Sequence, residues 1–486
     1  MNAAGRPESK STTRTAPLWA GAALVLLAPF FAAFRSGGYY QDTQLLIGTA
    51  AFALLAVVAV TAPWPPLPRG LPLAAVAALV GYGVWTGLST GWARILDVAV
   101  HDTDRIAAYV AVFVLALAAM REPRVRRLAP EVLLVGILVV CLYALAGRLL
   151  PHLVHERVNS VRLSQPLTYW NGLGMFAGFG VLLGIAAAGD RTRPRLWRSL
   201  ACAAAVPCGL AMYLTLSRGA LASVVAGLVL CVALRRGRAT LVAAACALVP
   251  TIGLAVILVA FPDVVSSYAG KTSERASQGA AFLPIAAAAT AAAGLAFARL
   301  TRSPLARGRS PLGSRARTAV AIAVVPCVLV AAIWIAGTGT EKSKLPSSAA
   351  RIASVETARG HYWRVALGAF GRHPVNGVGS GSFMAEWRQR RGHDQPALDA
   401  HSIYLETLAE LGIVGGLLLL AFLGTLIAGI ARAVRATPRN PTLIAAVAVL
   451  GAFAVHLALD WDWEMPAVSL IPLILAAAVL QPRRVD

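Results

Sequence analysis

Charge is scarce in this chain of 486 residues. Asp, Glu, Lys and Arg make up 14% of it, where a soluble protein carries about 25%. Acidic residues are scarcer still, 22 against 44 Lys and Arg. Long polar stretches are almost missing. Between apolar runs only Gly337 to Ala400 is long enough to fold outside a membrane, so no separate soluble domain is expected. The six cysteines, Cys141, Cys202, Cys208, Cys231, Cys246 and Cys327, all fall in apolar runs, which speaks against a disulfide framework. There is no internal repeat clear enough to suggest the inverted halves of a transporter.

What the chain has instead is hydrophobic length. Hydrophobic residues make up 58% and the mean hydropathy is +0.68. Apolar runs of about 20 residues, the length that crosses a bilayer core as a helix, recur from end to end. Lipid cannot satisfy a free sheet edge, so an open sheet is excluded. The expected fold class is all-α: a polytopic transmembrane bundle forming one membrane domain over residues 1–486. Spans are read near 17–34, 45–63, 71–88, 106–120, 131–150, 168–189, 198–215, 219–234, 239–261, 279–298, 318–336, 403–431, 442–459 and 467–481. The first run follows Arg6, Lys10 and Arg14 but lacks a small-residue cleavage signal, so it reads as a helix rather than a signal peptide.

The net charge of +22 would suit nucleic acid if it were diffuse, but it is not. With the N-terminus inside, and residues near span ends counted with the nearer side, the inner segments hold 26 Lys and Arg against 5 Asp and Glu. The outer segments hold 18 against 17. Such asymmetry marks the cytoplasmic side. The expectation is about fourteen spans with both termini cytoplasmic, a bilayer partner with some attraction to anionic headgroups, and no nucleic acid. All eight histidines then lie in outer loops or near outer helix ends. Hydrogen-bonding and titratable side chains gather on that face, so chemistry is expected there.

The segment 337–402 is the outer loop around which this face is organised. Within it, "ARGHYWRVALGAFGRHPVNGVGSGSF" carries Arg359, Trp363 and Arg364. Trp363, Leu367 and Phe370 recur at i, i+4, i+7, the spacing of a short amphipathic helix on the bilayer face. The run "NGVGSGSF" has the glycine content of a phosphate-cradling loop, but no strand–helix frame supports that reading over a plain turn. "ALDAHSIYLETLAELG" then leads into a span, with His401 at the junction. A histidine at the mouth of a bundle, beside positive charge, is held neutral and can accept a proton, although a lone histidine is more often structural.

Three further clusters face the same side. In "TLSRGA", Arg218 interrupts an apolar run at a tight outer turn; a guanidinium there suits bidentate phosphate binding or simple snorkelling. "VRLSQPLTYWNG" places Arg162, Tyr169, Trp170 and Asn171 at the outer start of a span, where stacking and an amide would suit a sugar or merely begin a helix. "HDTDR" with Asp102 and Asp104, and "LDWDWEMP" with Asp460, Asp462 and Glu464, can be read as carboxylates for a divalent ion or as solvated loops.

The order of these elements resembles the O-antigen ligase and O-antigen polymerase superfamily of bacterial membrane glycosyltransferases. "SRGA" follows an apolar span, the arginine–tryptophan pair and "HPVNGVGSGSF" lie in a large outer loop, and "HSxYLxxLxExG" opens the next helix. The likeness spans 160–465 and is strongest at 355–416. It implies transfer of a glycan from a polyprenyl-diphosphate donor to the hydroxyl of an acceptor glycan or glycolipid, on the outer face of the cytoplasmic membrane, in surface polysaccharide synthesis. It also implies His401 as the base. Arg218 and Arg359, with Arg364 beside them, would hold the donor diphosphate, and Arg162, Tyr169, Trp170, Asn171 and Trp363 would bind glycan or acceptor. Neither metal nor cofactor is implied, and the stereochemistry would invert. Fourteen spans exceed the twelve of a typical ligase and stand closer to a polymerase. The competing class is a transporter or flippase of a lipid-linked or polar solute, which would place its ionisable residues near the bilayer midplane.

Overall fold

The computed structural model describes residues 9–61, 69–154, 161–235, 237–265, 272–303, 359–391, 396–437 and 440–481, with isolated positions between 313 and 323. All regular structure among them is helical, and no strand occurs. The helices are α1 (Ser9–Ala33), α2 (Gln41–Thr61), α3 (Leu71–Ser89), α4 (Leu96–Ala119), α5 (Pro123–Leu149), α6 (Trp170–Ala188), α7 (Arg195–Leu214) and α8 (Arg218–Leu234). They continue as α9 (Ala239–Ile257), the single turn α10 (Pro262–Val265), α11 (Thr272–Leu300), α12 (Arg359–Arg372), α13 (Phe383–Arg390), α14 (Ile403–Ala436), α15 (Pro441–Leu457) and α16 (Pro466–Leu480).

Eight of these helices are long and apolar enough to cross a membrane: α2, α3, α5, α6, α7, α9, α11 and α14. Shorter apolar helices, α8, α15, α16 and the Pro17–Ala33 part of α1, pack among them. The protein is a multi-pass membrane protein. Every expected span coincides with a helix except the one at 318–336, most of which lies outside the described residues, as do the first part of the 337–402 loop and Cys327. The five described cysteines are buried thiols.

α6 and α16 form the centre and are buried almost from end to end. Their close packing rests on small residues, because between helices in lipid van der Waals fit replaces the hydrophobic drive. A Cβ on Gly178 of α6 would stand 2.4 Å from Val224 of α8, and one on Gly184 would stand 2.7 Å from the Ala201 carbonyl of α7. Around this centre the loops 161–169, 215–218 and 458–465 converge at one end of the bundle, where α12, α13 and the start of α14 also sit.

α12 is amphipathic, but its buried face is not the one its hydrophobic spacing suggests. Tyr362, Trp363, Ala366 and Ala369 are buried, whereas Leu367 is half exposed. The stripe is rotated because the helix lies against α14 and α13, and its aromatic residues fill that protein interface instead of facing lipid. Trp363 is therefore a packing residue here.

Candidate active site

Asp460 is the hub of the polar end. It lies in the turn between α15 and α16 and is 0% exposed. Its carboxylate accepts from Tyr169 Oη at 2.5 Å, Asn171 Nδ2 at 2.6 Å and Arg359 Nη2 at 2.8 Å. Burial alone would raise this carboxyl, but the Arg359 guanidinium and the neighbouring imidazoles outweigh it and hold it below the ordinary range. Arg359, the first residue of α12, also donates its Nε to the Leu459 carbonyl. Two donors from one planar fork fix its orientation.

Asn171 links a further arginine to the hub. Arg162 Nη2 donates to Asn171 Oδ1 at 2.7 Å, its Nε donates to the Thr215 carbonyl at 2.7 Å, and its guanidinium lies 4.6 Å above the Trp170 ring. Tyr169 is clamped between Asp460 and the Trp461 ring, whose centroid is 4.2 Å away. Arg218 opens α8 immediately after Ser217, whose hydroxyl caps the helix by accepting from Ala220 N at 3.3 Å. The next residue, Gly219, lies beside His456 and Leu459, which brings the start of α8 next to the turn whose Leu459 carbonyl accepts from Arg359. Beneath it, His456 Nδ1 and Asp462 Oδ2 form a buried pair at 2.6 Å.

His401 stands just before α14, in the left-handed region at φ 55°. Its ring lies 5.0 Å from the Tyr362 ring on α12, and its Nδ1 is 3.0 Å from the Asp399 carbonyl. A carbonyl only accepts, so Nδ1 carries the proton and Nε2 is left with its lone pair. Burial lowers the affinity of the imidazole for a second proton, and Arg359 lowers it further; Asp460 acts in the opposite sense. The ring is therefore a neutral base near pH 7.

The remaining candidates separate from this group. Arg364 is five residues beyond Arg359 on the same helix, about 140° around its axis. It is exposed and bonded to His361 and the Gly360 carbonyl, so it does not share the Arg359 face. Asp102 and Asp104 also diverge. Asp102 pairs with Arg105 at 2.9 Å and accepts from Ser380 Oγ at 2.6 Å, while Asp104 accepts from Gln41. Among the described residues, three carboxylates that do converge are Asp399, Glu406 and Glu464. Glu464 pairs with Arg105, and Glu406 accepts from Ala400 N at 2.7 Å. Burial pushes the Asp399 carboxyl up to about 7, with Asp102 adding to it.

The glycine run does not offer its amides to a ligand. Val378 N donates to the Ala409 carbonyl and Gly379 N to that of Glu410, while Gly381 N and Phe383 N both donate to the Glu410 carboxylate. Ser380 N donates to Ser89 Oγ. "NGVGSGSF" is a clasp that fixes the loop to α14 and α3.

Fold and site together define a multi-pass helical membrane protein with a neutral histidine and several arginines at one end of the bundle. Residues 276–420 match the family model described as O-antigen ligase. This agrees with the resemblance to the O-antigen ligase and polymerase superfamily, and it indicates O-antigen ligase-type function in surface polysaccharide synthesis. The matched region contains Arg359 and His401 and ends before Asp460. No curated protein matches the chain. Asp460 was legible only as one acid in a cluster; its pairing with Arg359, 101 residues earlier, appears once α15 and α12 are in place.

Proposed function

We propose that the protein is a membrane glycosyltransferase of the ligase or polymerase kind, acting on the outer face of the bacterial cytoplasmic membrane. The donor is a glycan on polyprenyl diphosphate and the acceptor a hydroxyl of another glycan or glycolipid. The observation that carries this reading is the contact of His401 Nδ1 with the Asp399 carbonyl, which leaves Nε2 able to take a proton, beside an arginine held by Asp460.

In the reaction the acceptor oxygen attacks the anomeric carbon of the donor from the face opposite the diphosphate. A new C–O bond forms, the bond to the diphosphate oxygen breaks, and the acceptor proton passes to His401 Nε2. Polyprenyl diphosphate leaves with the bonding pair, and Arg218 and Arg359 stabilise its charge as it develops. The planar guanidiniums, that of Arg359 already fixed by Asp460, supply what a metal would supply elsewhere, and the configuration inverts. Arg162, Tyr169, Trp170 and Asn171 hold the Asp460 hub and border the sugar-binding side.

Replacement of His401 by Ala removes the base. Glycan transfer should fall by at least about 100-fold, the usual weight of a positioned base, with the protein still inserted in the membrane. Surface glycan at the wild-type level in cells carrying that variant would overturn the assignment.

A further inference from the structure

α12 and α13 meet in a second cleft, on the side of α12 away from Arg359. Its volume is about 350 Å³, within the lower range of small-ligand sites. α12 contributes His361, Arg364 and Gly368 at i, i+3 and i+7, so they share one face. α13 contributes Trp387 and Arg390, with Arg391 directly after it. Gly368 keeps the floor low: a Cβ there would come within 3.4 Å of Arg372 Nη1.

The cleft is basic by construction. Residues 359–391 hold six arginines and a single carboxylate, Glu386. Glu386 is buried beside the cleft and already serves Arg94 at 2.9 Å, Arg390 at 2.9 Å and Arg372. Those bonds orient Arg390. Arg364 Nη2 lies 3.0 Å from His361 Nδ1 and 3.4 Å from its Nε2, which orders both side chains. No carboxylate lines the cleft among the described residues. The aromatic pair Tyr362 and Trp387, with centroids 4.8 Å apart, separates it from His401.

We propose that this cleft is a second anion site, built to bind a phosphate ester through Arg364, Arg390 and Arg391. Guanidinium forks match phosphate oxygens two at a time, and the volume accommodates the phosphate together with the group that bears it. The phosphate belongs either to a glycan or to a lipid headgroup. The site is independent of proton transfer at His401.

The test is hydrogen–deuterium exchange on the full chain in nanodiscs. Glucose 1-phosphate is titrated into phosphatidylcholine discs, and in a separate arm phosphatidylglycerol replaces part of the phosphatidylcholine. Peptides covering 360–372 and 383–391 become protected in at least one arm. Protection by the soluble sugar phosphate assigns a glycan phosphate, and protection only with phosphatidylglycerol assigns a lipid headgroup. Arg364→Gln combined with Arg391→Gln weakens the protecting probe at least tenfold. If that pair fails to accumulate, Arg364→Lys with Arg391→Lys is read instead. It keeps the charge but lacks the fork, and it binds more weakly than wild type. Protection absent in both arms, or unchanged in the variant read, would overturn the proposal.

Discussion

At the scale of single residues, the site depends on which atoms are already committed. His401 Nδ1 is held by a backbone carbonyl, so the atom able to accept a proton is Nε2, and the proposed proton transfer needs no prior rearrangement of the ring. Arg359 is fixed by Asp460 and Leu459, and Asp460 by Tyr169 and Asn171. This yields a pH dependence with a definite sign. Burial and Arg359 favour neutral His401, so its proton is lost below the ordinary histidine value of 6.5. Transfer activity should therefore be flat through neutral pH and fall only as the medium becomes more acidic than that. A pH–rate profile with its acidic limb centred above 6.5 would contradict the assignment. Arg359 and His401 stand out in the sequence because each sits at a fixed offset from a tryptophan or a helix start. Asp460 could not, since nothing in "LDWDWEMP" says which acid faces an arginine from another helix. Adjacency in sequence does not fix a face: five residues along the helix carry Arg364 to another side of α12 from Arg359.

At the scale of elements, the glycine run holds the loop in place. Gly377, Gly379 and Gly381 adopt φ values of 68°, 90° and 68°, and a fourth left-handed glycine, Gly412 at 64°, breaks α14 where the run docks. A Cβ on Gly379 would stand 2.4 Å from the Ala93 backbone, so steric crowding adds to the unfavourable φ. Gly379→Ala should destabilise the protein by about 2 kcal/mol, read as a lowered melting temperature in detergent, with His401 displaced and activity reduced. An unchanged melting temperature would show that the clasp is slack. The sequence showed the glycines but left open whether their amides faced a phosphate or the protein. That choice rests on Glu410, whose carboxylate arrives from a helix some thirty residues later. The helix over α12 was legible, but its buried face was not, because hydrophobic spacing cannot distinguish lipid from a packed aromatic neighbour.

At the scale of the whole molecule, the hydrophobic runs specify the bundle almost completely, since about 20 apolar residues in lipid can satisfy their backbone only as a helix. The charge asymmetry carries the proposed orientation, in which the converging loops, and with them Arg218, Arg359 and His401, would face the outer side. The ionisable groups of the site lie at one end of the bundle and not along its middle, as an enzyme acting on a lipid-anchored donor requires and a transporter does not. The most direct measurement is reconstitution of the purified protein in liposomes with a polyprenyl-diphosphate glycan and an acceptor glycan. The result expected is one new glycosidic bond for each polyprenyl diphosphate released, and neither product with His401→Ala. Movement of the lipid-linked glycan across the bilayer with no glycosidic bond formed would contradict the central claim.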